Sequence, residues 1–129
     1  MSLKVDIIIP TYNRSALLQQ ALESVQEQHH TDWHCWITED GETPKTHETV
    51  KPFLQDKRFS YLPGYHSGTP ATPRNRAICQ GSAPYIAFLD DDDLWLPEKL
   101  KKQMAFMHDH PKCVLLGSNA LRMPEGEAV

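Results

Sequence analysis

The chain has 129 residues, of which 40% are hydrophobic and 23% charged, and a formal net charge of −4 at pH 7. That length favours one domain with a core of its own, and the composition is ordinary for a soluble globular protein. An acidic balance with no basic stripe argues against nucleic acid as the main partner, and no apolar run approaches the length of a membrane span.

Val5 to Ile9 is an apolar run broken only by Asp6 and stopped at Pro10, which predicts a buried strand of a parallel sheet. The loop Pro10-Thr11-Tyr12-Asn13-Arg14 follows. Leu17, Leu18, Ala21, Leu22 and Val25 then recur at helical spacing, with Ser15 as the expected N-cap and the helix fading at Gln28-His29-His30. Trp33 to Thr38 predicts a second strand, ending at Glu39-Asp40-Gly41. A weaker helix covers Thr46 to Gln55, with Pro52 against it. Phe59 to Leu62 predicts a short third strand. After a Gly/Pro/Ser/Thr loop from Gly64 to Thr72, Pro73 is expected at the first position of a helix that runs to Gln80 and is closed by Gly81. Tyr85 to Leu89 reads as a fourth strand, Pro97 to His108 as a helix with Leu100, Met104 and Met107 on one face, and Cys113 to Leu116 as a last strand. The tail from Met123 carries no structural signal. Alternating strands and helices imply a doubly wound, mostly parallel α/β sheet with flanking helices. Cys35, Cys79 and Cys113 are odd in number and widely spaced, with no CxxC pair, so they read as reduced core thiols. The N-terminus lacks a signal-peptide pattern, which makes the cytoplasm the default location, including a peripheral position at the inner face of the membrane.

The fourth strand runs straight into Asp90-Asp91-Asp92-Asp93. Like charges about 4 Å apart repel by about 4 kcal/mol at an effective dielectric of 20, so something must offset them. A solvated acidic turn is one solution, since Asp favours turns and helix N-termini. A hard divalent cation, Mg²⁺ or Mn²⁺, is the other. Ligands of open α/β sheets bind outside the carboxyl ends of the strands. Three polar loops fall on that one edge here: Pro10–Arg14, Glu39–Gly41 and Asp90–Asp93. Their convergence favours a binding site over an isolated acidic turn.

An ordered set of motifs then carries a family resemblance. Ile7-Ile8-Ile9-Pro10-Thr11-Tyr12-Asn13-Arg14, Ala21-Leu22-Glu23-Ser24-Val25, Glu39-Asp40-Gly41, Arg74-Asn75-Arg76-Ala77 and Tyr85 through Pro97 resemble, in order and spacing, the N-terminal half of a family 2 glycosyltransferase of GT-A fold. The resemblance covers Lys4 to about Leu121. It implies that residues 1–129 are the part of the domain that binds a nucleoside diphosphate sugar, in a Rossmann-like arrangement, with the acceptor half lying beyond. It implies that Pro10, Thr11 and Tyr12 border the base, with Tyr12 stacking on it. Asp40 would accept a hydrogen bond from the base edge, with Glu39 beside it where the family often has Asp. Arg74 would lie near the ribose and phosphates. Of the family's acidic motif, Asp90 would face the ribose or the metal shell, Asp91 would line the donor site, and Asp92 would bind a divalent metal, Mn²⁺ or Mg²⁺, directly. The implied reaction is inverting transfer of the sugar to a saccharide or lipid-linked acceptor. Its Asp or Glu general base is expected beyond residue 129, because the late carboxylates Glu125 and Glu127 sit in the tail.

Two other readings compete. Asp90-x-Asp92 also meets the strand-terminal Asp-x-Asp of haloacid-dehalogenase-like phosphatases, but Leu94 stands where those proteins usually place Thr or Val, and their motif follows the first strand. A non-catalytic nucleotide-binding module would keep the same donor residues. None of the seven histidines shows a metal-ligand spacing, so they read as surface or loop residues, and Trp95 reads as a core aromatic.

Overall fold

A computed structural model of the chain describes residues 3–122. The expectations for the tail from Met123, including Glu125 and Glu127, lie outside those residues. Four strands, β1 (Val5–Thr11), β2 (Trp33–Glu39), β3 (Phe59–Leu62) and β4 (Tyr85–Phe88), form one sheet in the order β3-β2-β1-β4. All three pairings are parallel. Helices α1 (Ser15–Gln26), α2 (Pro44–Val50), α3 (Ala71–Gln80) and α4 (Lys99–Asp109) fill the connections, with a 3-10 turn at Phe53–Gln55. The doubly wound parallel α/β sheet is thus the architecture found.

β1 lies between β2 and β4, and every one of its residues is buried. This explains its unbroken apolar character. Its one charge, Asp6, is satisfied in place: Trp36 Nε1 donates to Oδ1 at 3.0 Å and the Ala83 N–H donates to Oδ2 at 2.9 Å. Gly81 supports this by being glycine, since a Cβ there would strike the Asp6 carboxylate. One face of the sheet presents Val5, Ile7 and Ile9, with Trp33, Cys35 and Ile37, to Leu18, Leu22 and Val25 of α1 and Leu100 and Met104 of α4. The other face of β1 and β2 is covered by α3.

Several sequence expectations are corrected. β1 continues through Pro10, which pairs with Thr38, because a proline still offers its carbonyl to the ladder. Ser15 is the first helical residue of α1, not its cap; Arg14 takes the cap position without a side-chain cap bond, after Asn13 at φ 52°. The expected helix over Thr46–Gln55 starts earlier, at Pro44, and breaks at Pro52 into a separate 3-10 turn. α3 starts two residues before Pro73. Cys113–Leu116 forms no strand; Val114 is 94% exposed. Of the three cysteines Cys35 alone is a core thiol, Cys79 being exposed and Cys113 half-buried. No helix of the described residues is long and apolar enough to cross a membrane.

Candidate functional site

The carboxyl ends of β1, β2 and β4 do converge. The Asp40 N–H donates to the Thr11 carbonyl at 2.9 Å, and the Leu89 N–H to the Ile8 carbonyl at 3.0 Å, so the loops leave the sheet side by side. Between them and the start of α3 lies a cleft of about 550 Å³. Pro10, Thr11, Tyr12 and Asp40 line one part of it, and Arg74, Asp90, Asp91 and Asp92 another. Of the residues expected at a site, the structure leaves Glu39 out of that lining. Its side chain is buried beside the cleft, accepting bonds from the Thr43 hydroxyl at 2.9 Å and from the Tyr61 hydroxyl. Burial and the adjacent Glu39 carboxylate push the Tyr61 hydroxyl well above its ordinary pKa.

The acidic run folds as a tight turn closed by the Asp93 N–H donating to the Asp90 carbonyl at 3.1 Å. It is held from behind by Ser24 and Gln28 of the α1 region. Ser24 Oγ accepts from the Trp95 N–H at 3.3 Å. Gln28 donates to the Leu96 carbonyl at 2.8 Å and accepts from the Leu100 N–H at 3.1 Å. Trp95 itself packs into the core.

The four aspartates then separate by environment. Asp91 turns inward, accepting from Thr11 Oγ1 at 2.9 Å and from Arg14 Nη1 at 3.3 Å. Burial pushes its carboxyl up, and those donors oppose the rise in part. Asp92 pairs with Arg14 at 3.1 Å and Asp90 with Arg74 at 2.8 Å, both in the open. Asp93 is pushed up by desolvation and by its three acidic neighbours. One carboxylate oxygen from each of Asp90, Asp92 and Asp93 lies within 4.8 Å of the other two. That spacing fits one hard cation with oxygen ligands. Four carboxylates face two guanidiniums, so a divalent ion would bring the turn to neutrality.

At the other end of the cleft Asp40 is buried but well satisfied. Ser67 Oγ and the Ser67 N–H donate to its Oδ1 at 2.6 and 2.7 Å, and the Gly68 N–H donates to Oδ2 at 2.9 Å. Burial pushes the Asp40 carboxyl up, but these hydrogen bonds and His66 overcome it and leave it below the ordinary value. Tyr12 is half exposed and stacks on His66, with ring centroids 4.6 Å apart and planes inclined by 24°.

The description "Glycosyl transferase family 2" fits this sequence over residues 6–126. The chain belongs to glycosyl transferase family 2. An uncharacterized glycosyltransferase of Rickettsia bellii is 41% identical over 83% of this chain, which spans 15% of that protein. The Escherichia coli enzyme UDP-Glc:alpha-D-GlcNAc-diphosphoundecaprenol beta-1,3-glucosyltransferase WfgD is 33% identical over 80% of this chain, which spans 40% of it. Among solved structures, Staphylococcus aureus TarS 1-349 in complex with UDP-GlcNAc superimposes with a TM-score of 0.79 at 28% identity, over 84% of this chain and 32% of TarS 1-349. The family 2 chain described here thus spans well under half the length of each of these proteins. The match gives no support to the phosphatase or to the non-catalytic module.

Three residues in or beside this family 2 cleft were not assigned a binding role from sequence. Arg14 stood in the first motif, yet its pairing with residues 77 and 78 positions away leaves no local trace. Asp93 was legible as part of the acidic run. His66 is one of seven histidines, and only the folded loop brings it to Tyr12.

Proposed function

We propose that residues 1–129 form the donor-binding part of a glycosyltransferase that moves a sugar from a nucleoside diphosphate to an acceptor. The observation that carries this is the make-up of one cleft: a half-exposed aromatic ring and a buried carboxylate, Tyr12 and Asp40, at one end, and at the other Asp90 and Asp92, which with Asp93 beside them make a cation-sized cluster. A nucleoside diphosphate has the same order of parts, with a flat hydrogen-bonding base first and a charged diphosphate last. Tyr12 then offers the stacking face, with Pro10 and Thr11 shaping the wall beneath it. Asp40 accepts from a base N–H. Arg74, whose Nε is buried with no partner among the described residues, retains a donor for ribose or phosphate oxygens. Asp91 fixes the loop through Thr11 and Arg14, and Glu39 supports the wall from behind through Thr43 and Tyr61.

Asp92, with Asp90 and Asp93, would hold Mn²⁺ or Mg²⁺. When bound, that ion supplies Lewis-acid stabilisation of the charge that develops on the departing diphosphate. Until then Arg14 and Arg74 offset part of the carboxylates' charge. No described residue is assigned as the general base, and this chain by itself is expected to bind donor without repeated transfer. The TarS complex supports UDP as the first nucleotide to test, and the diphosphoundecaprenol in the name of WfgD supports a lipid-linked saccharide as acceptor. A peripheral position at the inner membrane face would bring the domain to such an acceptor.

Titration calorimetry with UDP, with and without Mn²⁺, tests the reading. Saturable binding that Mn²⁺ strengthens is expected, and Asp92→Ala should remove the Mn²⁺-dependent part while the circular dichroism spectrum stays unchanged. Equal Mn²⁺ enhancement in Asp92→Ala and the parent would reject the assignment.

A further inference from the structure

The two groups that the donor reading gives to the base are already engaged by the chain itself. His66 covers the face of Tyr12 at 4.6 Å, a separation that puts two rings in direct contact and leaves no slot between them. Asp40 has both oxygens taken, by the Ser67 N–H and hydroxyl on one and the Gly68 N–H on the other. His66 Nδ1 adds contacts of 3.1 Å to the Asp40 carbonyl and 3.2 Å to its Oδ2. A flat aromatic ring on Tyr12 with N–H donors on Asp40 is the chemistry of a nucleobase.

We propose that the His66-Ser67-Gly68 turn is a self-ligand that fills the base subsite of the ligand-free protein, and that a base-bearing ligand enters by displacing it. This rests on the donor reading of the cleft. The turn is suited to leave. Residues 65–69 belong to no helix or strand, and a Cβ placed on Gly68 would meet nothing within 4 Å. Gly68 holds φ at +82°, a conformation natural to glycine, so the turn closes on Asp40 without strain. Among the described residues, the hydrogen bonds that His66, Ser67 and Gly68 send toward the sheet all end on Asp40, and the ring contact ends on Tyr12. When the competent state is only part of the population, apparent affinity falls by that fraction. The closed turn therefore weakens ligands that carry a base and leaves inorganic pyrophosphate, which has none, unaffected.

The experiment compares UDP with inorganic pyrophosphate, each with Mn²⁺, on the parent chain, His66→Ala and Gly68→Ala. His66→Ala removes the ring from Tyr12, and Gly68→Ala strains the closed turn at its positive φ. Both should tighten UDP with pyrophosphate unchanged, His66→Ala by roughly two- to tenfold, the range set by loss of one aromatic stack. In the parent, the amide signals of Ser67 and Gly68 should move on saturation with UDP and stay in place with pyrophosphate. UDP affinity that falls or holds steady in both variants overturns the proposal, as do Ser67 and Gly68 signals that ignore UDP while it binds. A parent chain that binds neither ligand fails at the donor reading instead and takes the self-ligand with it.

Discussion

Asp91 and Asp40 are both buried carboxylates at strand ends, and their surroundings push them in opposite directions. Asp91 is raised because burial outweighs the Thr11 hydroxyl and the Arg14 charge. Replacing Thr11 by Val removes one of those donors and leaves a buried acceptor short of a partner, at a cost of about 1–3 kcal/mol. Urea denaturation at neutral pH is expected to read that loss, and a Thr11→Val chain as stable as the parent would show that water reaches Asp91. Asp40 is lowered from 3.8 because the hydrogen bonds from Ser67 and Gly68 outweigh burial. A depressed carboxyl contributes stability that is complete above its unfolded value and disappears as pH falls through the folded one. The thermal midpoint of the parent should therefore exceed that of Asp40→Asn at neutral pH, with the gap closing below pH 3.8. A gap that stays constant through acidification would mean that Asp40 acts by shape and not by charge.

At the scale of elements, α2 shows how a wall of the cleft is fastened. Thr43 caps the helix by accepting from the Thr46 N–H at 3.4 Å, and its hydroxyl also donates to Glu39 at 2.9 Å. Thr43→Ala loses the cap and a buried carboxylate's donor together, so chemical denaturation should show a loss of about 1–2 kcal/mol, with Thr43→Ser restoring most of it. That double use also marks where local reading of the chain runs out. β1 to β4 were legible because buried parallel strands are apolar runs bounded by turn residues, and the loops that line the cleft were legible because ligands gather at one edge of such a sheet. Cys113–Leu116 offers the same apolar run but finds no neighbour to pair with among the described residues, and periodicity carries no information about neighbours. The Thr46–Gln55 helix failed at Pro52, where a proline's local veto outweighed the helical pattern around it. Glu39 and His66 were opaque for a third reason. Whether a polar side chain points into a cleft or is tied down behind it depends on partners 22 and 26 residues away, Tyr61 and Asp40, that only tertiary packing supplies.

For the whole molecule the sheet is unequally protected. Among the described residues β4 is an end strand, with Ile86 and Phe88 half exposed on the face beside α3. An end strand leaves backbone donors and acceptors unpaired and serves as a template for another chain. Purified residues 1–129 are expected to associate as concentration rises, and Phe88→Lys should suppress this by placing a charge on the edge. Sedimentation velocity over a concentration series checks it; an equally monodisperse parent would show that the edge is already blunted.

The same sheet imposes a schedule on synthesis. β1 leaves the ribosome first and receives β2 after one helix, but its other flank waits for β4, and the bond from Thr11 to Asp91 spans 80 residues. At 5–20 residues per second that flank stays bare for roughly 4–16 s, long enough for a chaperone to find it. The acidic turn is thus built onto a half-sheet already standing.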